Sequence, residues 1–506
     1  MLAALAILLL TPTASADTPD ERPNILLIVT DDQSTESLSC YGSTVCRTPH
    51  LDRLAAEGMI LTDAHHMGAW AGAVCLPSRT MIMTGRTVWH LPGRSRKTRA
   101  AKAARSEPSN LMAFGNRNPP APGITAKEAA DSSLPQVFRD ANYATFRTCK
   151  IGNSFAAANA RFEVVRDQSS RGNRPGNSSV WHADQALQWF EDRESRDDPR
   201  PFLAYVGFSH PHDPRMATPE KLADYGVSNE GPSGVDLDRA PPLPDNWLPK
   251  HPFPHGHPGL RDEVKVQGVG VDRDPATVRN ELGREYGCIE LIDEQIGRLV
   301  DHLRTTGQLE NTYVVFTSDH GIAIGRHGLM GKQNLYEHTW RVPLIVQGPG
   351  IEAGSSASGF VYLLDLLPTL CELAGIQTPA TSEGQSFVPV LRGQSERIRE
   401  VVYGVYCGGS KPGIRAVKTV GWKLVEWDVL DGTVRRSQLF DLEANPNEYL
   451  SQHANPEVVR LTGVTPSDAQ RNLAEEPGSS ERLSMMRQLL DEQMKHFDDP
   501  YELAQP

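Results

Sequence analysis

Four stretches of this chain are nearly continuous runs of apolar residues, and each stops at a cluster of polar or charged ones. Asn24-Ile-Leu-Leu-Ile-Val-Thr runs into Asp31 and Asp32, and Tyr143-Ala-Thr-Phe-Arg-Thr into Cys149 and Lys150. Pro201-Phe-Leu-Ala-Tyr-Val-Gly-Phe208 leads to Ser209-His210-Pro211-His212-Asp213-Pro214-Arg215, and Thr312-Tyr-Val-Val-Phe-Thr-Ser to Asp319 and His320. Runs without polar alternation are strands covered on both faces, as in a parallel sheet. Ligands of such sheets collect at the carboxyl ends of the strands.

A period of 3.6 marks the helices between them. One opens at Thr48-Pro49-His50-Leu51-Asp52-Arg53-Leu54 and ends near Gly58; another covers Cys75 to Thr84 with Gly85 as its stop. A third carries Tyr286, Ile289, Ile292, Ile296, Leu299 and Leu303 at helical spacing and stops near Gly307, a core helix to which the pattern assigns no catalytic role. From about Arg399 the texture changes. Ile414–Thr419, Trp422–Trp427 and Val434–Leu439 read as short strands, with Asp431-Gly432 as a hairpin turn, before a closing helix with Leu483, Met486, Leu490 and Met494 on one side. The expected fold is α/β: a large mixed, mostly parallel sheet flanked by helices over residues 22–395, and a smaller C-terminal domain of antiparallel sheet plus helix over 396–506.

Composition narrows the class. At 39% apolar and 23% charged residues the chain builds a sizeable core, and a net charge of -12 with no basic tail excludes a dedicated nucleic-acid binder. Residues 1–16 read as a secretory signal peptide, an apolar run too short to span a bilayer followed by Ala14-Ser15-Ala16. With no second hydrophobic span, the expectation is an exported protein without a stable membrane anchor. Of the seven cysteines, Cys40 and Cys46 lie closest in sequence, and spacing alone establishes no bridge. Residues 90–125 read as a surface insertion in which Arg94, Arg96, Lys97, Arg99, Lys102 and Arg105 form either a solvated patch or a basic lip for a polyanion. Residues 216–275, rich in Pro and His, read as a long surface excursion.

The candidate chemistry centres on Ala73–Arg86. Cys75 stands at a helix N-terminus, where open N–H groups and the dipole favour a thiolate or an oxyanion. Cys75-Leu76-Pro77-Ser78-Arg79, followed by Thr84-Gly85-Arg86, resembles the signature of the formylglycine-dependent sulfatases, of the alkaline-phosphatase-like superfamily. Thr48–Leu54, the Pro-His-Asp-Pro-Arg turn, Gly331-Lys332-Gln333-Asn334-Leu-Tyr-Glu-His338 and Leu439-Phe-Asp-Leu-Glu-Ala-Asn-Pro-Asn-Glu448 resemble further blocks of that family, so the likeness spans about residues 22–450.

The resemblance implies an exported enzyme that hydrolyses a sulfate ester of a carbohydrate. Cys75, converted by a formylglycine-generating enzyme to an aldehyde, supplies as its hydrate the attacking oxygen. Asp31, Asp32, Asp319, His320 and the converted Cys75 hold one divalent ion, Ca²⁺. Arg79 and Lys150 orient the hydrate, Lys332 binds sulfate oxygens and His212 protonates the leaving alcohol. Asp213, Arg215, His327, Gln333 and Asn334 flank the site as sugar contacts. Sulfate esters hydrolyse so slowly that on the order of 20 kcal/mol must come off the barrier. One oxyanion donor supplies only about 3 kcal/mol, so metal, cations and a strong nucleophile are needed together.

Two positions depart from the family pattern. His320 replaces the commoner Asn, and Gly152 stands where a catalytic-site His is expected, with Asn153, His65, His66 or a water as stand-ins. The alternatives are a phosphonate or phosphate ester hydrolase of the same fold, and a catalytically impaired member that binds sulfated glycans.

Overall fold

The computed structural model describes residues 22–92, 124–168, 177–254, 273–408 and 411–504. The signal segment 1–16 and the basic residues of the 90–125 insertion lie outside the described residues.

The main sheet is nine-stranded and mixed. Its strands are β1 (Asn24–Asp31), β2 (Met59–His65), β4 (Ala144–Thr148), β5 (Val164–Val165), β6 (Phe202–Pro211), β7 (Thr312–Ser318), β8 (Arg341–Gln347), β9 (Ser355–Ala357) and β10 (Val361–Tyr362). They run in the order β10-β2-β8-β7-β1-β6-β4-β5, with β9 on β2. All four sequence-predicted apolar strands sit together as β7-β1-β6-β4, mutually parallel. β8 is the antiparallel member, paired with β7 and β2.

β1 shows why this sheet is buried on both sides. Leu26 and Ile28 point into one core with helices Pro49–Ala56, Asn177–Glu194 and Pro275–Thr305, while Ile25, Leu27 and Val29 point into another with helices Cys75–Thr84 and Leu366–Leu373. The register of β1 with β7 pairs Thr30 with Ser318, so Asp31 and Asp319 leave the sheet side by side. Asp32 then takes a left-handed backbone (φ 72°), which turns its carboxylate back over the strand end.

A second, five-stranded sheet has the order β14-β13-β12-β11-β3. Its strands β11 (Val402–Tyr406), β12 (Gly413–Lys418), β13 (Trp422–Val429) and β14 (Val434–Asp441) are antiparallel, and β3 is Gly68–Ala69, just before the signature helix. Gly68 is required there, because a Cβ would stand 1.8 Å from the Val405 carbonyl oxygen. Helix Ser480–His496 buries Met486, Leu490 and Met494 against this sheet.

Two readings from the hydrophobic pattern change. The long helix begins at Pro275, eleven residues before Tyr286, capped by Asp274 accepting from the Thr277 N–H at 2.9 Å. Its first turns are polar yet buried (Asn280, Glu281, Arg284, Glu285), so apolar periodicity does not reveal them. Part of the 216–275 excursion is core: Leu243, Trp247 and Leu248 are buried, and Trp247 bridges to Arg326. The seven cysteines are all free thiols, Cys40 and Cys46 included.

Candidate active site

The four strand ends and the signature helix meet at one point. Cys75 is wholly buried, and its Sγ lies 3.4 Å from Asp31 Oδ1, 3.1 Å from His320 Nε2 and 3.4 Å from Lys332 Nζ. The helix is fixed by its own sequence. Pro77 falls in the first turn, Gly85 closes the end at φ 63°, and the Ser78 hydroxyl donates to the Asp319 carbonyl.

Charges around the thiol are paired across elements. The Lys150 ammonium donates to Asp31 Oδ2, and Lys332 Nζ to Asp32 Oδ1 at 2.8 Å. His320 Nε2 is 3.3 Å from both Asp32 Oδ1 and Asp319 Oδ1. Burial alone pushes the Asp32 carboxyl upward, but His212, Lys332 and His320 outweigh it and hold it well below the usual carboxylate range. Burial likewise pulls the His212 imidazole down, and Asp32, Asp31 and the Asp213 hydrogen bond together outweigh it to leave the ring at about 9. His212 Nδ1 is 2.8 Å from Asp213 Oδ1.

These residues fit a divalent cation. Ligand atoms of Asp31, Cys75, Asp319 and His320 lie within 4.8 Å of one another, and Asp31, Asp32 and Asp319 are each at most 1% exposed. Three buried carboxylates in one place repel one another strongly without a counter-charge, and oxygen donors suit a hard ion.

The geometry redistributes several expected roles. Arg79 gives Nε to Asp319 Oδ2 (2.8 Å) and Nη1 to Cys149 Sγ (3.1 Å) and the Tyr205 hydroxyl (3.0 Å), so it braces a ligand carboxylate from behind. Tyr205 and Cys149 were not legible as site residues; the one signal was a hydroxyl-bearing Tyr within an apolar strand.

The five residues expected as sugar contacts each have an internal partner. Asp213 is taken up by His212. Arg215 is 0% exposed and ion-paired to Glu281. His327 is buried, stacked 3.9 Å from Tyr336, with Nε2 on the Glu448 carbonyl. Gln333 Nε2 donates to the Gly72 carbonyl. Asn334 Oδ1 accepts from the Thr339 hydroxyl and the Tyr336 N–H. His327, Gln333 and Asn334 are buried on the loop after β7, Arg215 is buried on the loop after β6, and Asp213 beside it is half-buried.

None of the stand-ins for a residue-152 imidazole offers a free base at the thiol. His66 accepts from the Gly68 N–H and turns Nε2 to the Thr339 carbonyl; His65 faces Asp63 and Glu337; Asn153 is exposed. Gly152 is exposed too, and a Cβ there meets nothing within 4 Å. Gly152→His is therefore expected to fold with stability within about 0.5 kcal/mol of wild type, read by urea unfolding; a larger loss would show that the open space is not available. A cleft of about 560 Å³ opens elsewhere, walled by Glu36, His338, Arg341 and Glu448; no residue of the Cys75 cluster lines it.

Residues 23–376 match the family described as Sulfatase. The chain belongs to the sulfatase family. It is thus a sulfuric ester hydrolase. Residues 325–466 of this sulfatase also match the description N-sulphoglucosamine sulphohydrolase, C-terminal. It is 23% identical to the N-acetylglucosamine-6-O-sulfatase of Bacteroides thetaiotaomicron, over 88% of this chain and 86% of that protein. In fold, the sulfatase resembles a protein solved in complex with its substrate D-glucosamine-2-N,6-O-disulfate (TM-score 0.67, 21% identity, 94% of this chain and 98% of that one). It also resembles the phosphonate monoester hydrolase of Silicibacter pomeroyi (TM-score 0.63, 18% identity, 94% and 96%).

Proposed function

We propose that this chain is an exported sulfatase that cleaves a sulfate ester of a carbohydrate, a sulfated polysaccharide or glycosaminoglycan fragment, to the alcohol and inorganic sulfate. The observation that carries this reading is the ring of Asp31, His320 and Lys332 within 3.1–3.4 Å of a single buried thiol at a helix N-terminus. The carbohydrate class draws on the relatives whose names specify amino-sugar sulfates. Export draws on the character of residues 1–16; among the described residues no helix is long and apolar enough to cross a membrane.

In this reading a formylglycine-generating enzyme converts Cys75, and the aldehyde hydrate supplies an oxygen nucleophile. Asp31, Asp32, Asp319, His320 and the converted Cys75 would hold a calcium ion, which would supply positive charge for that oxygen and for the sulfate. Lys332, whose Nζ is 3.4 Å from the thiol, binds sulfate oxygens. Lys150 and Arg79 hold Asp31 and Asp319 in place. His212 gives its Nε2 proton to the leaving sugar oxygen.

The test is sulfate release from a panel of sulfated mono- and oligosaccharides, with the protein co-produced with a formylglycine-generating enzyme. Release supports the reading. Silence, with the aldehyde confirmed by mass spectrometry, favours a glycan-binding member. The phosphonate hydrolase likeness makes a second arm necessary, and a tenfold preference for matched phosphonate esters would replace the sulfate reading. Chelation is expected to abolish release and added calcium to restore it. Calcium should also raise the melting temperature, because binding only the folded state stabilises it and relieves the carboxylate repulsion. Equal melting with and without calcium would remove the ion from the site.

A further inference from the structure

The turn that carries His212 does not support itself. Its partners lie on the long helix Pro275–Thr305, which sequence periodicity reads as packing alone. Arg284 donates through Nε to the Arg215 carbonyl at 2.9 Å and through Nη1 to Glu281 Oε1 at 2.6 Å. Glu281 Oε2 in turn takes Arg215 Nη1 at 3.3 Å. Arg215, Glu281 and Arg284 are 0%, 1% and 4% exposed. A buried ion trio of this kind is geometrically exacting, since each charge depends on the others to offset its desolvation.

The same helix is shaped to hold the following chain close. A Cβ at Gly283 would stand 2.7 Å from a Val227 methyl, and one at Gly287 2.8 Å from Ala217 Cβ. The segment after the turn therefore lies directly on the helix backbone, one turn apart at each contact. Upstream of this clamp, Asp213 holds His212 Nδ1. Clamp and imidazole are separated by two residues of chain, Asp213 and Pro214.

We propose that Glu281 and Arg284 are positioning residues for His212: through Arg215 they fix the turn that aims the imidazole at the leaving sugar oxygen. This rests on the sulfatase reading above. In that step the S–O bond to the sugar breaks and its electron pair stays on the bridging oxygen. That oxygen takes the Nε2 proton of His212 and departs as the alcohol, while the sulfuryl group passes to the hydrate oxygen at position 75, whose own proton is lost to water. His212 is left neutral and regains its proton from water. A sugar alkoxide is a poor leaving group and needs this proton; a nitrophenolate does not.

Leaving-group dependence separates positioning from general structural damage. Glu281→Gln is expected to lower turnover of N-acetylglucosamine 6-sulfate by about 10- to 100-fold, the scale of a displaced catalytic group. Its effect on 4-nitrophenyl sulfate should be at least tenfold smaller. In a His212→Ala background, Glu281→Gln should cost nothing more on the sugar sulfate, because the group it positions is gone. Arg284→Lys, which keeps charge and one donor, should recover part of the selectivity lost in Arg284→Met. Equal losses on the two esters, or a further loss on the His212→Ala background, would overturn the proposal. If the wild type cleaves neither ester, the sulfatase reading fails, and the His212 ring resonances in ¹H–¹⁵N spectra decide this one. A shift between wild type and Glu281→Gln upholds the positioning, and identical resonances in the folded variant sink it. Should Glu281→Gln not fold, Arg284→Lys against wild type carries the same comparisons.

Discussion

Cys75→Ala, co-produced with a formylglycine-generating enzyme, is expected to lose sulfate release by at least about 10⁴-fold while remaining folded. Removing a nucleophile from a cooperating site typically costs far more than removing any one stabilising donor. The remaining groups here have nothing to activate: Lys332, His320 and Asp31 all converge within 3.4 Å on the one sulfur. Folding should survive, because the change deletes one atom at a helix start whose ends are set by Pro77 and Gly85. The measurement is ion-chromatographic sulfate release beside a circular-dichroism melt. Release within tenfold of wild type would mean that the nucleophile lies elsewhere.

Glu337→Gln is expected to destabilise the fold by about 3–5 kcal/mol, the cost of leaving buried charges without their partner. Glu337 Oε2 meets Lys418 Nζ at 2.7 Å and Oε1 meets Lys423 Nζ at 2.8 Å. Lys423 is wholly buried and Lys418 4% exposed, so neither ammonium has water to fall back on. Lys423 keeps Glu448 at 2.6 Å and Lys418 keeps Asp63 at 2.6 Å, which sets the upper end of the loss. This cluster joins the second sheet to the short helix Glu337–Trp340, at the end of the loop that carries Lys332. Sulfate binding should therefore weaken along with stability. Urea unfolding with a shared m-value reads the first effect, and a loss below about 1 kcal/mol would show the cluster to be solvated.

Much of the fold and of the Cys75 cluster was legible from local pattern. Continuous apolar runs announce strands covered on both faces, and Asp31, Lys150, His212 and Asp319 come directly after such runs. A parallel sheet then delivers them to one edge whatever the loops do. The signature helix was equally plain, because Pro77 and Gly85 mark its ends by backbone chemistry alone.

Only the tertiary structure decided which polar residues face a ligand and which face each other. Arg215, His327 and Asn334 look like site residues by position, and each also makes an internal contact. Conversely, Glu281 and Arg284 lie before the apolar repeat that marks this helix in the sequence, and they are buried beside the Arg215 turn. Sequence periodicity reports whether a position is apolar. It carries no record of a polar side chain buried by pairing, because the partner comes from a distant segment and the desolvation is offset only once that segment has folded against it. The strands and their chemical ends are determined by the chain locally; the assignment of Asp213 to His212, of Arg79 to Asp319 and of the long helix to the Arg215 turn is determined by packing.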